Sequence, residues 1–524
     1  MDPKEKENLY HLTKVAKGAG FVFTAMIVSK IISFFYRSII ARGLGPEGYG
    51  MIEIGIAVIS FVLIFSSLGL AGSAWRYTAY YKGKNDPKRI KGAIQASIIM
   101  ALPMSITAAI VLFIIAPLLG PFITSHPGIG PEMTMVLQIL AFAIPLTVLN
   151  AIMRVSMRGL QNIKHMALNE YIIFNVIQLS LAATFLYMGW DVFGIALAYT
   201  LSILITTITF FYFLQKKTFP IISKLKAIKP YREILIFGLP LFLAGMATMV
   251  MTWTDTLLIG ILRDATWSGI YNAALPLAGL IFIIQKSFGS IFSPLMIEMY
   301  AQDKKREMAK LYKNVTNWVF YIGFPFLLLL TLFARNAIHF VFGAEYTEGA
   351  AALAILSIGF FISSMLSNGN SVLMATKRTK HISINQVAGA GSNIILNLLL
   401  IPILGIAGAA LATGISLIIN NGLSTFQTWR LTGMQPFTSR IARSFIAGLV
   451  SISFIFFITE LFWEFVPMIW IIVLFFVFFG LYFLLLLALG TLQKSDIQVL
   501  SYLENKLGMR NEWLRRIIKK FIRY

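Results

Sequence analysis

The chain has no cysteine among its 524 residues. Disulfides and thiolate metal sites are therefore excluded. Histidine is scarce as well, and the five copies show no His-x-x-x-His or similar spacing, so no helical pair of metal ligands is present. Charge is the third shortage. Asp, Glu, Lys and Arg together make up 13% of the chain, against about 25% in a soluble domain. Acids are the scarcer sign, 22 against 44 Lys and Arg. No Asp-x-Asp or Glu-x-Asp occurs anywhere. This composition excludes a soluble globular protein.

What is present is apolar. Hydrophobic residues make up 58% of the chain and the mean hydropathy is +0.78. They come in runs of roughly twenty or more, the length needed to cross about 30 Å of hydrocarbon. The pattern predicts an all-α polytopic membrane protein. Fourteen spans are expected, at roughly 15–42, 49–80, 92–119, 133–160, 165–189, 192–215, 232–262, 266–300, 308–333, 347–376, 381–402, 406–432, 440–460 and 466–492. The charged N-terminal segment precedes a long apolar run with no Ala-x-Ala-like cleavage site, so the first span reads as retained rather than as a signal peptide.

Charge then orients the chain. Placing both termini in the cytoplasm puts 37 of the 44 Lys and Arg on inner segments. The outer loops, such as 119–132 and 189–194, are nearly free of positive charge. The alternation holds across all fourteen spans, as the positive-inside rule requires. It also accounts for the net charge of +22, so nucleic acid is not an implied partner.

The sequence carries one unit twice. "IKHMALN" (163–169) and "TKHISIN" (379–385) share a basic-His-Asn pattern at an offset of 216 residues. "GIALAYTLS" (194–202) faces "GAALATGIS" (408–416) at an offset of 214. "EGYG" (47–50) and "SGIYN" (268–272) follow the first outer turn of each unit. An N-lobe (1–215, spans 1–6) and a C-lobe (232–432, spans 7–12) are expected, joined by a cytoplasmic linker (216–231). Two further spans follow (433–492), then a basic amphipathic tail (493–524). Six spans per copy is an even number, so the lobes are parallel repeats, and the seam between such repeats is where transporters bind cargo. The linker is expected in the inner headgroup layer, and the tail on anionic membrane lipid.

Cations inside spans are costly and mark cavities or partners. Lys30 is midway along the first span, and Arg37 lies two helical turns further on the same face. Ser33 lies between them. Lys286 is midway along the eighth span. Together Lys30, Arg37 and Lys286 suit a phosphate or pyrophosphate. Arg37 has a second reading, a side chain that snorkels to the nearby outer surface.

The segment "RSIIARGLGPEGYG" (37–50), with two six-helix lobes and two extra helices, resembles the oligosaccharide flippases of the multidrug/oligosaccharidyl-lipid/polysaccharide exporter (MOP) superfamily. The fourteen-span layout is similar to that of the lipid II flippases. The resemblance implies two rocking lobes and a polyprenyl-(pyro)phosphate-linked glycan as cargo, moved without catalysis by a protein that works as a monomer. A cation-coupled multidrug exporter of the same superfamily is the second reading; it would want acids in the cavity. A membrane glycosyltransferase or polymerase is the third; it would want an acidic catalytic group or metal-binding pair on an outer loop.

Asp255 lies in the seventh span, at an offset of 218 from Arg37. A buried carboxylate there needs a cation, a proton or a basic partner such as Lys286 or Arg37. Asn393 and Asn397 lie i and i+4 on one face of the eleventh span, and Thr413 is on the twelfth. In the similar lipid II flippases a sodium site is built from a seventh-span acid, two residues one turn apart on span eleven, and span twelve. Asp255, Asn393, Asn397 and Thr413 match that arrangement, which implies Na+ at Asp255. Asn397 departs from it, because those relatives tend to carry a second acid there.

Overall fold

The structure is a computed structural model that describes residues 3–124, 128–462 and 468–491. All regular elements among these residues are helical. Twelve helices among them are long and apolar enough to cross a membrane. One is unusual in length. Thr24–Ser67 holds 44 residues, about 66 Å if straight and so about twice the hydrocarbon thickness. The helix breaks at Gly45, whose φ of 69° and ψ of 177° leave the helical region; the glycine takes this left-handed φ at no steric cost. The basic tail expected at 493–524 lies outside the described residues.

Two compact units make up the chain. The first holds Met1–Ala273 and Asn393–Ala409, the second Ala274–Ser392 and Ala410–Tyr524. In chain order the first unit begins with α1 (Pro3–Ser67), α2 (Leu70–Gly83), α3 (Pro87–Thr124), α4 (Gly130–Ala141) and α5 (Ala143–Gly159). It continues with α6 (Ile163–Ala167), a π-helical turn (Leu168–Ile173), α7 (Phe174–Tyr187), α8 (Asp191–Tyr212), α9 (Tyr231–Leu262) and most of α10 (Ala265–Ala278). The second holds α11 (Leu280–Ala301), α12 (Lys305–Leu332), α13 (Ala334–Phe342), α14 (Ala350–Leu366) and α15 (Asn368–Ala375). Parts of α16 (Thr379–Leu404) and α17 (Ile406–Thr432) follow, then α18 (Ser439–Phe462) and α19 (Met468–Ala488).

Within the first unit small residues bring backbones together, as they do wherever lipid offers no hydrophobic drive for helix association. The closest approach joins the turn after Gly45 to the start of α10. A Cβ on Gly50 would lie 1.7 Å from the carbonyl oxygen of Ala265, and one on Gly269 would lie 1.9 Å from that of Pro46. These are the two glycine-bearing turns that recur in the sequence. Tyr49 and Tyr271, beside them, are fully buried.

The repeated asparagine has the same task in both copies. Asn169 donates to the Thr206 carbonyl at 3.0 Å and accepts from Thr209 Oγ1 at 2.7 Å. Asn385 donates to Ser424 Oγ at 2.9 Å and exchanges two hydrogen bonds with the Gln427 amide, at 2.8 and 2.9 Å. The partners 206 and 424, and 209 and 427, are each 218 residues apart. Each asparagine is fully buried and ties the helix it begins to the next one.

The linker is not a free tether. Lys91, buried at the start of α3, donates to the carbonyl oxygens of Ser223 at 2.7 Å and Leu225 at 2.8 Å. Gln95 Nε2 donates to the Ile221 carbonyl at 3.1 Å, and Ile228 N to the Lys88 carbonyl at 3.1 Å. The linker's Lys224, Lys226 and Lys229 all remain exposed. Replacing Lys91 by Met keeps the aliphatic stem and removes two charge-assisted bonds, each worth about 1.5–3 kcal/mol. Trypsin should then cut at Lys224, Lys226 and Lys229 at least tenfold faster, by roughly the loss of one such bond; an unchanged cleavage rate would show that the linker is held by other contacts.

Candidate functional site

A cavity of about 380 Å³ opens within the first unit, in the usual range for a small-molecule site. Its wall includes Lys30 and Ser33 of α1, Thr147, Asn150 and Arg154 of α5, and Glu170 and Tyr171 of the π-helical turn. Phe174 and Asn175 of α7 and Tyr199 and Thr206 of α8 complete it. The polar groups are held by neighbours. Asn175 Nδ2 donates to Ser29 Oγ at 3.1 Å and to the Tyr171 carbonyl at 3.0 Å. Asn150 Nδ2 donates to Thr206 Oγ1 at 3.3 Å. Arg154 and Glu170 form an ion pair across the cavity wall, Nη1 to Oε1 at 2.5 Å. Formal charges on the wall leave one net positive. Amides, hydroxyls and four aromatic side chains, Phe210 among them, surround it.

Sequence reasoning placed Lys30 and Ser33 here, and the structure puts both on the wall. It missed Asn150, Arg154, Glu170, Asn175 and Tyr199. A signal was present: Thr147, Asn150 and Arg154 fall at i, i+3 and i+7, one polar stripe along α5.

Arg37 has a different setting from Lys30. Its Nη1 donates to Tyr49 OH at 2.7 Å and pairs with Glu53 Oε1 at 2.7 Å. Glu53 keeps 4% of its side-chain exposure and Arg37 keeps 29%. The guanidinium is therefore held within α1, against a carboxylate one lobe-turn away. Lys286 is exposed on α11 in the second unit. Thr413 is buried in the second unit.

Asp255, on α9, is 3% exposed. Three side chains converge on its carboxylate. Tyr271 OH donates to Oδ2 at 2.9 Å, Asn393 Nδ2 to Oδ1 at 3.1 Å and Asn397 Nδ2 to Oδ1 at 2.5 Å. The structure thus brings together Asp255, Asn393 and Asn397, and adds Tyr271, which the sequence did not single out. The oxygens Asn393 Oδ1 and Asn397 Oδ1 are buried without a hydrogen-bond partner. Orphaned buried oxygens beside a carboxylate are uncommon and costly. Oxygen atoms from a carboxylate and amides are the donor set that a hard cation prefers, so these residues fit one. No group of three or more His, Cys, Asp and Glu occurs among the described residues.

The helical architecture and a polar cavity among spanning helices define a multi-pass membrane transporter. A family model described as "Polysaccharide biosynthesis protein" matches residues 15–300, and one described as "MatE" matches residues 240–399. The chain belongs to the polysaccharide biosynthesis protein family, within the MOP superfamily, whose members are transporters and not enzymes. It is 23% identical over 461 residues to an uncharacterised membrane protein of Methanocaldococcus jannaschii, covering 86% of this chain and 90% of that one. It is 22% identical to a Shigella flexneri protein provisionally named an O-antigen transporter, over 76% of this chain and 93% of that one. Its fold is similar to that of the lipid II flippase MurJ in an inward closed conformation, with a TM-score of 0.70 at 16% identity, covering 88% of this chain and 97% of that one.

The Arg37–Glu53 pair makes a stability prediction. Removing one member of a buried pair strands the other charge, whereas removing both does not. Glu53→Gln should destabilise the protein by about 3 kcal/mol, the low end for a buried pair because Arg37 is partly exposed. The double variant Arg37→Met with Glu53→Leu should recover most of that loss. Thermal unfolding of the purified variants checks it; equal losses in both would mean that Arg37 is solvated rather than paired.

Proposed function

We propose that this transporter is a flippase for a polyprenyl-(pyro)phosphate-linked oligosaccharide in the cytoplasmic membrane. The observation that carries the reading is the cavity of the first unit. Its net positive wall suits a phosphate, and its amides, hydroxyls and aromatic faces suit a sugar. A carrier of cationic drugs would need the opposite charge there, so the cavity favours the flippase over the multidrug exporter.

In this reading the chain crosses the membrane fourteen times with both termini in the cytoplasm. The two parallel lobes, 1–215 and 232–432, alternate in exposing the cargo site. The matched asparagine ties at 169 and 385 support the duplication. Lys30 holds the anionic headgroup in the first lobe. Moving such a headgroup through hydrocarbon unaided would cost many kcal/mol in lost hydration. The cavity replaces water with fixed donors, and the apolar polyprenyl chain stays in the lipid.

Asp255, Asn393 and Asn397 are the residues that would hold Na+. Supporting this are the two orphaned amide oxygens, which half a turn of each amide group would bring to face a cation. An amide turned in this way no longer donates to Asp255, and the bound charge takes over the compensation of the carboxylate.

Two measurements test the proposal. Lys30→Ala should abolish headgroup translocation in reconstituted vesicles while expression and folding stay near normal; normal transport by this variant would remove the cationic site. Sodium binding only the folded state should add about 2.7 kcal/mol at a hundredfold excess over its Kd. The thermal midpoint should therefore rise in sodium relative to choline at equal concentration, and Asp255→Asn should abolish the rise. A midpoint identical in both salts for the unsubstituted protein would eliminate the cation site.

A further inference from the structure

We infer that the Arg154–Glu170 pair is an exchangeable latch in which Glu170 holds Arg154 until the anionic group of the cargo displaces it. This rests on the reading of the cavity as the headgroup site and names how that site is regulated.

Four observations lead there. The first is local backbone. Glu170 sits in the π-helical turn Leu168–Ile173, between α6 and α7. Such turns insert one extra residue into a helix and concentrate at functional positions. One extra residue shifts the following side chains by about 100° around the axis. Here Asn169 reaches back to α8, while Glu170, Tyr171, Phe174 and Asn175 all line the cavity.

The second is the comparison between the two copies. The repeat offset of 216 carries Asn169 onto Asn385, Glu170 onto Gln386 and Arg154 onto Asn370. The structural asparagine is kept in both. The charges are not: the second copy has neutral amides at both positions. Its α16 is a continuous α-helix through this region. Asn370 there bonds to Asn421 and Ser424 rather than to Gln386. The ion pair and the π-helical turn are thus absent together where the copy lacks them, and present together where they face the cavity. The second copy joins its helices through other polar bonds and has no such pair, so the ion pair is not something the duplicated fold requires.

The third is the strength of the contact. Arg154 keeps 37% of its side-chain exposure and Glu170 keeps 24%. An ion pair this open to solvent is weakly held. The Arg37–Glu53 pair, with its carboxylate at 4% exposure, is the fixed counterpart in the same unit.

The fourth is chemistry. A phosphate offers guanidinium two parallel acceptors and more charge than a carboxylate. Lys30, on the same wall, adds a second cation for the phosphate. Binding therefore replaces one weak bond by a bidentate one. Release is helped by the same group, because Glu170 returns to Arg154 as the anion leaves. A permanently free Arg154 would bind more tightly and let go more slowly.

The test uses the full purified chain in zwitterionic nanodiscs, with inorganic pyrophosphate as the probe at constant sodium and ionic strength. Affinity is read by calorimetry, and cargo transport by the vesicle assay. Glu170→Gln should raise pyrophosphate affinity by up to about fivefold, the upper range for an ion pair this open to solvent, and slow transport. Arg154→Gln should lower affinity by a similar factor, and Arg154→Lys should restore part of it. The double variant should behave as Arg154→Gln alone. The opposite signs separate a latch from a structural clamp, for which both single variants lower stability and affinity together. If Lys30→Ala still loses binding while Glu170→Gln and Arg154→Gln bind as the unsubstituted protein does, the latch is wrong and the headgroup site stands. If no variant, Lys30→Ala included, alters either binding or transport, the latch and the headgroup site fall together.

Discussion

Inside hydrocarbon a polar side chain has no water to turn to, and this one constraint organises the first unit. Several polar groups are placed where another segment supplies the partner. Asn169 holds α8, Tyr271 holds Asp255, Tyr49 and Glu53 hold Arg37, and Lys91 holds the linker. Helix packing alone would leave these helices free to slide along one another, since lipid tails are as apolar as the residues between them. The polar ties fix register, and the close glycine contact at residues 50 and 269 fixes separation. The cavity is what remains when register and separation are both set.

The constraint also sorts the charges by function. Arg37 is paired with a nearly inaccessible carboxylate and is spent on structure. Arg154 is paired with a half-open one. Asp255 is surrounded by donors, yet two adjoining amide oxygens are left over. Polar groups that a fold satisfies completely stabilise it, and those it satisfies partly are available for ligands.

The membrane class, the helical architecture and the recurrence of one unit were all legible from hydropathy and spacing. They depend on properties that add along the chain. The convergence of Asp255, Asn393 and Asn397 was legible too, because the two asparagines share a face and the acid needed company. Partner choice was not. That Glu53 answers Arg37 depends on the break at Gly45, which returns residue 53 to the level of residue 37. That Glu170 reaches Arg154 depends on a π-helical turn, which no periodicity announces because it is a local departure from periodicity. Tyr271 lies in the recurring segment 268–272, but only the fold shows its hydroxyl turned onto Asp255. The docking of the linker on Lys91 was hidden because a lysine at a helix start is ordinarily counted as one more cytoplasmic charge.

The glycine contact between residues 50 and 269 has a thermodynamic character of its own. It is made by peptide groups alone, with no side chain from either residue. Side chains that become trapped at an interface lose rotamer freedom, up to about 2 kcal/mol for the long ones. Here there are no rotamers to lose, so joining these two turns carries no such entropic charge and parting them returns none. The energy of the contact is then almost entirely enthalpic dispersion, which falls steeply with distance. A contact of that kind is short in range and indifferent to side-chain disorder.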